Sequence, residues 1–398
     1  MPAVKMRIAK TKGSIGHHMQ IAMIGLKGIP AVWGGMEKYA EEIGHILSQR
    51  GHCVTTFGSK WYCQGFTGRR HRGIRVIKVP TLRLSATDAL TNAFFASAIA
   101  WTRPFDVIQF HGYASYYFVP FFRRSGKVTV VTAHGVESGW ENPKYGTVAR
   151  QTIRHAFKTG MTRAHCVTTV ADHLRRKIRD NYRVDALVMP SGMDEGQPAP
   201  VDLIGRKYRL TGLDYLLFLG RIDPIKRVHW LPDLLPLLDR SVKIVIAGGP
   251  QDAATRSYHA EMIRRCSPHP QIVFTGPVSG KEKAELLCNC LLFLAPSVYE
   301  GLPIALLEAV SYGRCCVASR IPAHEEVITD GTNGYLFNTG DRADFMEAVR
   351  LALAQPLEAI AAFGSRAKQD GLKRFNWQHT ATQYEKLFRQ MVQHGPEN

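Results

Sequence analysis

Residues 291–318 read L-L-F-L-A-P-S-V-Y-E-G-L-P-I-A-L-L-E-A-V-S-Y-G-R-C-C-V-A. The apolar run at 291–295 predicts a buried strand, and a second short run at 315–318 predicts another. Between them, Pro303 suits the first position of a helix, and the apolar spacing extends that helix to Tyr312. Two strands joined through a helix form a βαβ unit, in which the strands run parallel. This stretch therefore predicts an α/β fold.

The same alternation of short apolar runs and amphipathic stretches extends along both halves of the chain. Predicted strands occupy residues 20–25, 53–57, 74–79, 106–110, 127–132, 165–170 and 186–189, and then 215–219, 242–247, 271–274, 291–295 and 315–318. Gly196, Pro198 and Pro200 mark residues 194–211 as a linker between the two series. We therefore predict two Rossmann-like, doubly wound domains that face each other across a cleft. The predicted divisions are a basic N-terminal extension at 1–18, an N-terminal domain at 19–195, a C-terminal domain at 212–376 and a final helix at 377–398.

The composition excludes several classes of protein. Of the 398 residues, 45% are hydrophobic and 21% are charged, which excludes a wholly disordered chain. No apolar run reaches the roughly 18–20 residues that a membrane-spanning helix needs. The first 18 residues are basic and lack the apolar core of a secretory signal. The eight cysteines lack the spacing of a zinc site, so reduced thiols in a cytoplasmic protein are expected.

The positive charge is concentrated in the first half of the chain. The net charge is +18 overall, and residues 1–200 hold 28 Lys and Arg against 12 Asp and Glu, a net +16. Residues 201–398 hold 23 against 21, a net +2. Such an asymmetry indicates that the N-terminal half faces an anionic partner. A general bias toward basic residues would make both halves of the chain similarly basic.

Three motifs follow predicted strands, at the edge where open α/β sheets bind their ligands. The first, at residues 25–37, reads G-L-K-G-I-P-A-V-W-G-G-M-E. Its glycines let backbone N–H groups approach a phosphate, and the following helix N-terminus favours an anion. The stretch matches neither G-x-G-x-x-G nor the P-loop pattern, so a plain tight turn remains the alternative.

The second motif is Gly220-Arg221-Ile222-Asp223-Pro224-Ile225-Lys226, directly after the predicted strand 215–219. Its two cations, Arg221 and Lys226, lie five residues apart. An Arg side chain can bind two phosphate oxygens at once, whereas a Lys side chain acts as a point charge. The pair therefore suits a diphosphate, and a solvated surface pair is the alternative.

The third motif, Ser297 to Glu308, is the most specific. Glu300 precedes the predicted helix, and Glu308 lies eight residues further, about two turns away. Backbone N–H groups around Gly301 would point into the cleft. A carboxylate accepts hydrogen bonds from sugar hydroxyls, so the two glutamates could hold two rings of one ligand. A capping or interhelical ion pair is the alternative for Glu308.

Two histidines end adjacent predicted strands, and each precedes a glycine. His111 ends the strand at 106–110, and His134 follows the strand at 127–132. Their position at strand ends favours a site role, more so for His134 than for His111, for which a structural role is an equal alternative. The chain contains no D-x-D sequence and no metal-ligand cluster, which predicts metal-independent chemistry.

On these motifs the chain resembles the retaining glycosyltransferases of family 4, which have the GT-B architecture. The family's E-x7-E motif is Glu300 to Glu308, and its G-R-x4-K stretch is Gly220 to Lys226. The run V-A-S-R-I-P-A-H-E-E-V-I-T-D-G-T-N-G-Y-L-F supports the same resemblance, which covers residue 20 to the C-terminal helices. The N-terminal half is similar to a rhamnosyltransferase-like subgroup of bacterial polysaccharide glycosyltransferases, through I-G-L-K-G-I-P-A-V-W-G-G-M-E, V-T-A-H-G-V-E and M-P-S-G-M-D.

The resemblance implies a nucleotide-diphospho-sugar donor, bound mainly by the C-terminal domain and without a cofactor. Arg221 and Lys226 would neutralise the diphosphate, Glu308 would bind the ribose, and Glu300 and His134 would contact the donor sugar. The implied catalytic residues are His134, Glu300, Arg221 and Lys226, and the implied donor-binding residues also include Gly34, Gly35, Gly301, Leu302, Pro303 and Glu308. A UDP-sugar is the favoured donor, with GDP- or dTDP-sugars as alternatives.

The resemblance also implies hexosyl transfer with retention of anomeric configuration, in which the leaving phosphate helps to deprotonate the acceptor. The acceptor, a glycan or lipid-linked glycan of surface polysaccharide synthesis, would bind the N-terminal domain near His111 and Glu137. The final helix, from Trp377, would cross back to that domain. The chain departs from the family's usual P-N-G-x-D at Ser191, and Trp140 follows Glu137 by three residues where the subgroup commonly has H-G-x-D/E-W.

The basic N-terminal half suggests where the acceptor is met. Arg123 and Arg124 directly follow the apolar and aromatic residues 116–122. A basic rim beside exposed aromatic residues suits an anionic membrane, so we expect a cytoplasmic protein that associates peripherally with the inner face of the cytoplasmic membrane. The alternative is that residues 116–122 form a core helix.

Two other functions are consistent with parts of the sequence. A sugar-nucleotide epimerase could use the same GT-B plan, and it would produce an epimer from the donor alone. A nucleic-acid-binding protein would fit the pI of about 9.7, but no recognised binding motif or aromatic platform accompanies the basic residues. Nucleic acid is therefore not an expected partner, and a gel-shift experiment would decide the point.

Overall fold

Two β-sheets organise the chain, in a computed structural model that describes residues 18–31, 34–82, 87–135, 146–250, 253–301 and 303–395. The first sheet has eight strands in the order β3-β4-β2-β1-β5-β6-β7-β8, and the second has six in the order β11-β10-β9-β12-β13-β14. All paired strands are parallel except β3 and β4. Because parallel strands are covered on both faces, the central ones are almost continuously apolar.

The first sheet and its helices come from the N-terminal half. Its strands are β1 (Gln20–Ile24), β2 (Cys53–Ser59), β3 (Arg70–His71), β4 (Ile74–Val79), β5 (Val107–His111), β6 (Val128–Ala133), β7 (Cys166–Thr169) and β8 (Leu187–Val188). Its helices are α1 (Gly35–Gln49), α2 (Thr87–Trp101), α3 (Val119–Arg124), α4 (Thr147–Arg163) and α5 (Asp172–Tyr182), with a 3₁₀ segment at Tyr113–Phe118. On α1, Tyr39, Ile43 and Leu47 lie on one buried face, as the apolar spacing predicts.

The second sheet comes from the C-terminal half. Its strands are β9 (Tyr215–Leu219), β10 (Lys243–Ala247), β11 (Ile272–Gly276), β12 (Leu292–Ala295), β13 (Cys315–Ser319) and β14 (Tyr335–Phe337). The helices are α6 (Leu203–Tyr208), α7 (Ala253–Cys266), α8 (Gly280–Asn289), α9 (Ile304–Ser311), α10 (Pro322–Glu325), α11 (Arg342–Leu353), α12 (Leu357–Arg374) and α13 (Trp377–His394), with 3₁₀ segments at Pro224–Lys226 and Val228–Leu237.

The final helix, α13, crosses back to the first sheet. Tyr384 on α13 is fully buried, and its hydroxyl lies 3.0 Å from the Tyr39 hydroxyl on α1. The same hydroxyl lies 3.2 Å from Thr132 Oγ1 and 3.0 Å from Thr168 Oγ1, on β6 and β7. The predicted architecture of two Rossmann-like domains with a returning C-terminal helix is therefore confirmed, whereas the residue limits given above for each domain stay a prediction.

Two local features differ from what the sequence predicts. The stretch 194–211, predicted as a linker, does lie between β8 and β9, but it also contains helix α6. Ile204 and Leu210 are buried there, and the Glu285 carboxylate accepts hydrogen bonds from the helix start, including one of 3.1 Å from the Ile204 N–H. Pro303 caps helix α9 instead of opening it: the helix begins at Ile304. Its missing N–H costs nothing at either position.

The apolar residues 116–122 lie largely in the core. This favours the alternative that they form a core helix over the expectation that they face a membrane. Tyr116, Val119 and Phe122 are buried, and only Phe121 among the large side chains is strongly exposed, at 53%. The segment joins β5 to β6 and packs against α2, α4 and these two strands, which accounts for its buried side chains. None of the helices in the described ranges is both long and apolar enough to cross a membrane.

Candidate active site

A cavity of about 330 Å³ lies between the two sheets and is lined from both. The second sheet contributes the ends of β9, β10 and β12, and the first contributes the loop before α1 and the start of that helix. Parallel strands end at one edge of a sheet, so the predicted motifs meet here. The cavity is within the size range of small-ligand sites.

The two predicted cations lie on the loop after β9, at the cavity wall. Asp223 shapes this loop: its carboxylate accepts a hydrogen bond from the Ile225 N–H at 3.1 Å, and Oδ2 lies 3.4 Å from the Arg221 guanidinium. The Arg221 side chain is about one-third exposed and Lys226 is largely buried, at 15%. Both cations therefore face a water-poor space in which an anion would be bound strongly.

Glu300 is held as a carboxylate beside Lys226. The Lys226 ammonium contacts Glu300 Oε1, and the Ser297 hydroxyl donates to the same oxygen at 2.8 Å. Burial alone would raise the pKa of Glu300, but the Lys226 charge and the hydrogen bonds from Lys226 and Ser297 outweigh burial and lower that pKa. The cavity thus contains an ionised acceptor beside the cation that balances it.

Glu308, about one turn along α9, lines the same cavity and is paired with a different cation. Lys283 on α8 donates to Glu308 Oε1 at 2.7 Å. The E-x7-E spacing brings both carboxylates to one cavity, as predicted. Lys283 comes from a separate βα unit, and nothing in the sequence pattern singled it out.

The starts of α1 and α9 lie close together at the cavity. A Cβ added at Gly35 would lie 3.3 Å from Ile304 Cδ1, and Gly34 before it has a φ of +104°, which favours glycine. A Cβ added at Gly301 would lie 1.8 Å from the His134 carbonyl oxygen, so the two halves of the chain touch at a point where only glycine fits. Two helix N-termini thus add positive potential to that of Arg221 and Lys226.

Two carboxylates on α1 hold the glycine-rich loop in place. Glu37, which is 3% exposed, accepts a hydrogen bond from the Lys27 N–H at 2.9 Å, and burial raises its pKa. Glu41, one turn further, accepts one from the Ala31 N–H at 2.6 Å. Glu37 is the last residue of the first motif, at 25–37, but the sequence alone predicts no role for it.

The two predicted histidines contact each other but do not line the cavity wall. His111 Nδ1 lies 2.9 Å from His134 Nε2, and the rings are stacked at 5.3 Å. Burial lowers the pKa of His134 to about 3 and that of His111 well below its usual value, so both rings are neutral at physiological pH. The Tyr39 ring packs edge-on against His134 at 5.0 Å.

Two further predicted site residues, Leu302 and Glu137, lie outside the described residues. Pro303 lines the cavity with Gly34, Gly35, Lys38 and His324. In the described part of the chain, no three His, Cys, Asp or Glu side chains are grouped so that they could hold a metal ion.

Comparisons with known proteins agree with this geometry. The family described as Glycosyltransferase Family 4 matches residues 33–197, and the family described as Glycosyl transferases group 1 matches residues 214–355. The first match covers α1 to β8, which is the first sheet without β1, and the second covers β9 to α11, which includes all of the second sheet. Both matches are to glycosyltransferases. The epimerase and nucleic-acid alternatives therefore gain no support.

Individual relatives are also glycosyl-transferring enzymes by name, at sequence identities of 25–28%. The chain is 25% identical over 403 residues to alpha-maltose-1-phosphate synthase of Mycobacterium tuberculosis, an alignment that covers 94% of this chain and all of that protein. It is 28% identical to the phosphatidyl-myo-inositol mannosyltransferase of Mycobacterium leprae, over 57% of this chain and 59% of the relative.

Solved structures share the fold. Sucrose-phosphate synthase from Thermosynechococcus elongatus superposes with a TM-score of 0.81 at 19% identity, over 95% of this chain and 100% of that one. Anabaena HepE, solved with UDP-glucose, gives a TM-score of 0.74 at 17% identity, over 94% of this chain and 100% of its own. The chain is thus a GT-B glycosyltransferase related to family 4 in its N-terminal half and to group 1 in its C-terminal half.

Proposed function

We propose that the chain transfers a hexosyl group, with retention of configuration, from a nucleotide-diphospho-sugar to a glycan or lipid-linked glycan acceptor. The observation that supports this best is the meeting of Arg221, Lys226, Glu300 and Glu308 in one cavity between the sheets. Two cations beside two helix N-termini suit a diphosphate, and two carboxylates suit the hydroxyls of a ribose and a sugar.

On binding, the donor would replace the ion pairs Lys226–Glu300 and Lys283–Glu308 with its own contacts. Arg221 and Lys226 bind the diphosphate, with backbone groups of Gly34, Gly35, Gly301, Leu302 and Pro303 around it. Glu308 then binds the ribose in place of Lys283, and Glu300 binds a hydroxyl of the transferred sugar. UDP is the favoured nucleotide, in keeping with the UDP-glucose complex of the HepE neighbour, and GDP and dTDP are the alternatives.

The retaining mechanism that we propose is transfer on one face of the sugar. Charge develops on the leaving phosphate as the glycosidic bond breaks, and fixed cations stabilise that charge without reorganisation. His134, which we propose contacts the donor sugar from behind the cavity wall, accepts a proton poorly at neutral pH because burial lowers its pKa to about 3. The departing phosphate is therefore the better base for the acceptor hydroxyl. His111 and Glu137 would line the acceptor side.

A thermal-shift experiment tests the donor site. At about 100 times its dissociation constant, a ligand adds roughly 2.7 kcal/mol of apparent stability. We expect one class among UDP-, GDP- and dTDP-sugars to raise the melting temperature of the wild type and to do so less for Lys226→Ala. Lys281→Ala, which removes an exposed lysine on α8, should respond as the wild type does. No shift with any sugar nucleotide or free nucleoside diphosphate would contradict the proposed function.

We also propose that the enzyme is cytoplasmic and meets its acceptor at an anionic membrane through α2. This helix exposes Leu90, Phe94, Phe95 and Trp101, and the Trp101 ring contacts the exposed Phe121 at 4.0 Å. Leu82 and Phe118 extend the patch around an apolar hollow of about 560 Å³. Exposed clusters of this kind mark interaction sites, since isolated proteins rarely keep them in water.

The charge beside this patch favours a membrane as its partner. Arg123 and Arg124 directly follow Phe121 and Phe122, and the one carboxylate of α2, Asp88, accepts a hydrogen bond from Trp61 Nε1. Basic residues beside aromatic ones suit the interface of an anionic leaflet. The lipid acceptor in the name of the mycobacterial mannosyltransferase is consistent with this placement.

Replacement of Phe94 and Phe121 with serine should weaken vesicle binding at least tenfold. Each buried aromatic side chain contributes roughly 1.5–3 kcal/mol. Co-sedimentation with phosphatidylcholine vesicles containing about one-third phosphatidylglycerol, at low and high salt, measures the effect. Leu357→Ser, which alters an equally exposed side chain on α12, is the control. Equal binding by wild type and double variant, or none by the wild type at low salt, would refute the membrane surface.

A further inference from the structure

His324 is a buried histidine in the wall of the donor cavity. It lies within the run of residues 317–337 that supports the family resemblance, but the sequence alone predicts no role for it. It lies on the short helix α10, just after β13, and none of its surface is exposed. It lines the same cavity as Glu300 and Lys226 and interacts electrostatically with both. Its place in the cavity wall makes it a candidate ligand contact.

The hydrogen bonds of His324 determine which nitrogen carries the proton. Nδ1 lies 2.9 Å from the Ser319 carbonyl oxygen, which can only accept, so Nδ1 carries the hydrogen. Burial lowers the pKa of His324 to about 4, so the ring is neutral at physiological pH. Nε2 is therefore an unprotonated nitrogen with a lone pair.

Nε2 has no hydrogen-bond partner among the described residues, although it is buried. A buried polar atom without a partner is costly, and such atoms are uncommon in folded proteins. The ring orientation is fixed from the Nδ1 side, because the Ser319 hydroxyl also lies 3.2 Å from Nδ1 and contacts the Ser297 carbonyl. Ser319 thus joins His324 to the loop that carries Glu300.

We propose that His324 is a specificity-determining residue whose Nε2 accepts a hydrogen bond from a hydroxyl of the donor sugar, beside the hydroxyl bound by Glu300. This inference rests on the proposed function. An imidazole lone pair and a carboxylate are two acceptors in one part of the cavity, and both need hydroxyl donors. The sugar that fits is a neutral hexose with free hydroxyls at these two positions. A sugar that lacks the hydroxyl at either position would leave an acceptor unpaired.

The test compares ligands with and without the sugar. Affinities of wild type and His324→Phe are measured by calorimetry for UDP, GDP, UDP-glucose, UDP-galactose and GDP-mannose. Phenylalanine retains a planar ring, slightly larger than imidazole, but it can neither accept a hydrogen bond nor donate one to the Ser319 carbonyl. We expect the variant to bind the preferred nucleotide sugar about tenfold more weakly and its nucleoside diphosphate equally well. His324→Gln, whose amide oxygen can accept the same bond, should recover part of the loss.

Deoxy analogues of the preferred donor identify the hydroxyl. Removal of one particular hydroxyl should weaken binding to the wild type about tenfold and leave binding to His324→Phe unchanged. An equal loss of diphosphate and nucleotide-sugar affinity in His324→Phe would show a structural role and overturn the inference. So would equal losses by both proteins for every deoxy analogue. A wild type that binds the diphosphates but no nucleotide sugar would instead overturn the proposed function, and the inference with it.

Discussion

Replacement of Lys226 with alanine is expected to lower kcat about 100-fold, the largest effect on turnover of any single substitution in the cavity. The departing diphosphate gains negative charge in the transition state, and Lys226 lies in a largely buried position where that charge is poorly screened. Loss of one preorganised group of this kind costs roughly 3 kcal/mol, or about 100-fold in rate. Steady-state transfer assays with the donor identified by thermal shift measure the change.

The contact with Glu300 makes a second variant necessary. Without Lys226, the buried Glu300 carboxylate keeps the Ser297 hydroxyl but loses its cation. Lys226→Gln retains a hydrogen-bond donor for Glu300 and removes only the charge. It should fold as stably as the wild type by thermal melting and still lose about as much activity as Lys226→Ala. Activity in Lys226→Gln within threefold of the wild type would show that the charge does not stabilise the leaving group.

Arg221→Ala should have a smaller effect than either Lys226 variant. The Arg221 side chain is more exposed than Lys226, and Asp223 beside it already offsets part of its charge. If the loss of kcat is larger for Lys226→Ala than for Arg221→Ala, the more buried charge makes the larger contribution to catalysis. Lys281→Ala is the control, because it removes an exposed lysine that is paired with Asp202. It should leave kcat unchanged.

The parts of the predicted site that the structure brings together are those set by local sequence. Each βα unit places its loop at the same sheet edge, so residues 220–226 and 297–308 were expected to meet, and they do. To expect Glu300 and Glu308 at one cavity, it is enough to predict that a helix starts between them. The adjacency of His111 and His134 follows from the neighbouring strands β5 and β6.

The missed residues depend on contacts between distant segments. Lys283 reaches Glu308 from a neighbouring βα unit, and His324 lies at the cavity wall on the short helix α10 after β13. Lys283 belongs to no predicted motif, and His324 lies within the run of residues 317–337 without a predicted role, because the position of both residues depends on three-dimensional packing. The exposure of α2 was also missed: Thr87–Trp101 is apolar on several faces, which normally predicts a buried helix.

Replacement of Tyr384 with alanine should lower the free energy of unfolding by about 4 kcal/mol, the usual range for removing a large buried aromatic side chain. Tyr384 is fully buried where α13 meets the first sheet, and its ring packs against Phe388 at 5.4 Å. Urea unfolding followed by tryptophan fluorescence measures the change. Val392→Ala, at a partly exposed position on the same helix, should cost less than about 0.5 kcal/mol.

Tyr384→Phe separates the hydroxyl from the ring. The hydroxyl lies within hydrogen-bond distance of Tyr39, Thr132 and Thr168, so its removal leaves three polar groups one partner short and should cost about 1–3 kcal/mol. Tyr39 also packs on His134, so the same change should reduce activity while thermal melting still shows a folded protein. If Tyr384→Ala costs less than about 1 kcal/mol, the returning helix is not a structural bridge to the first sheet, and the position of His134 does not depend on it.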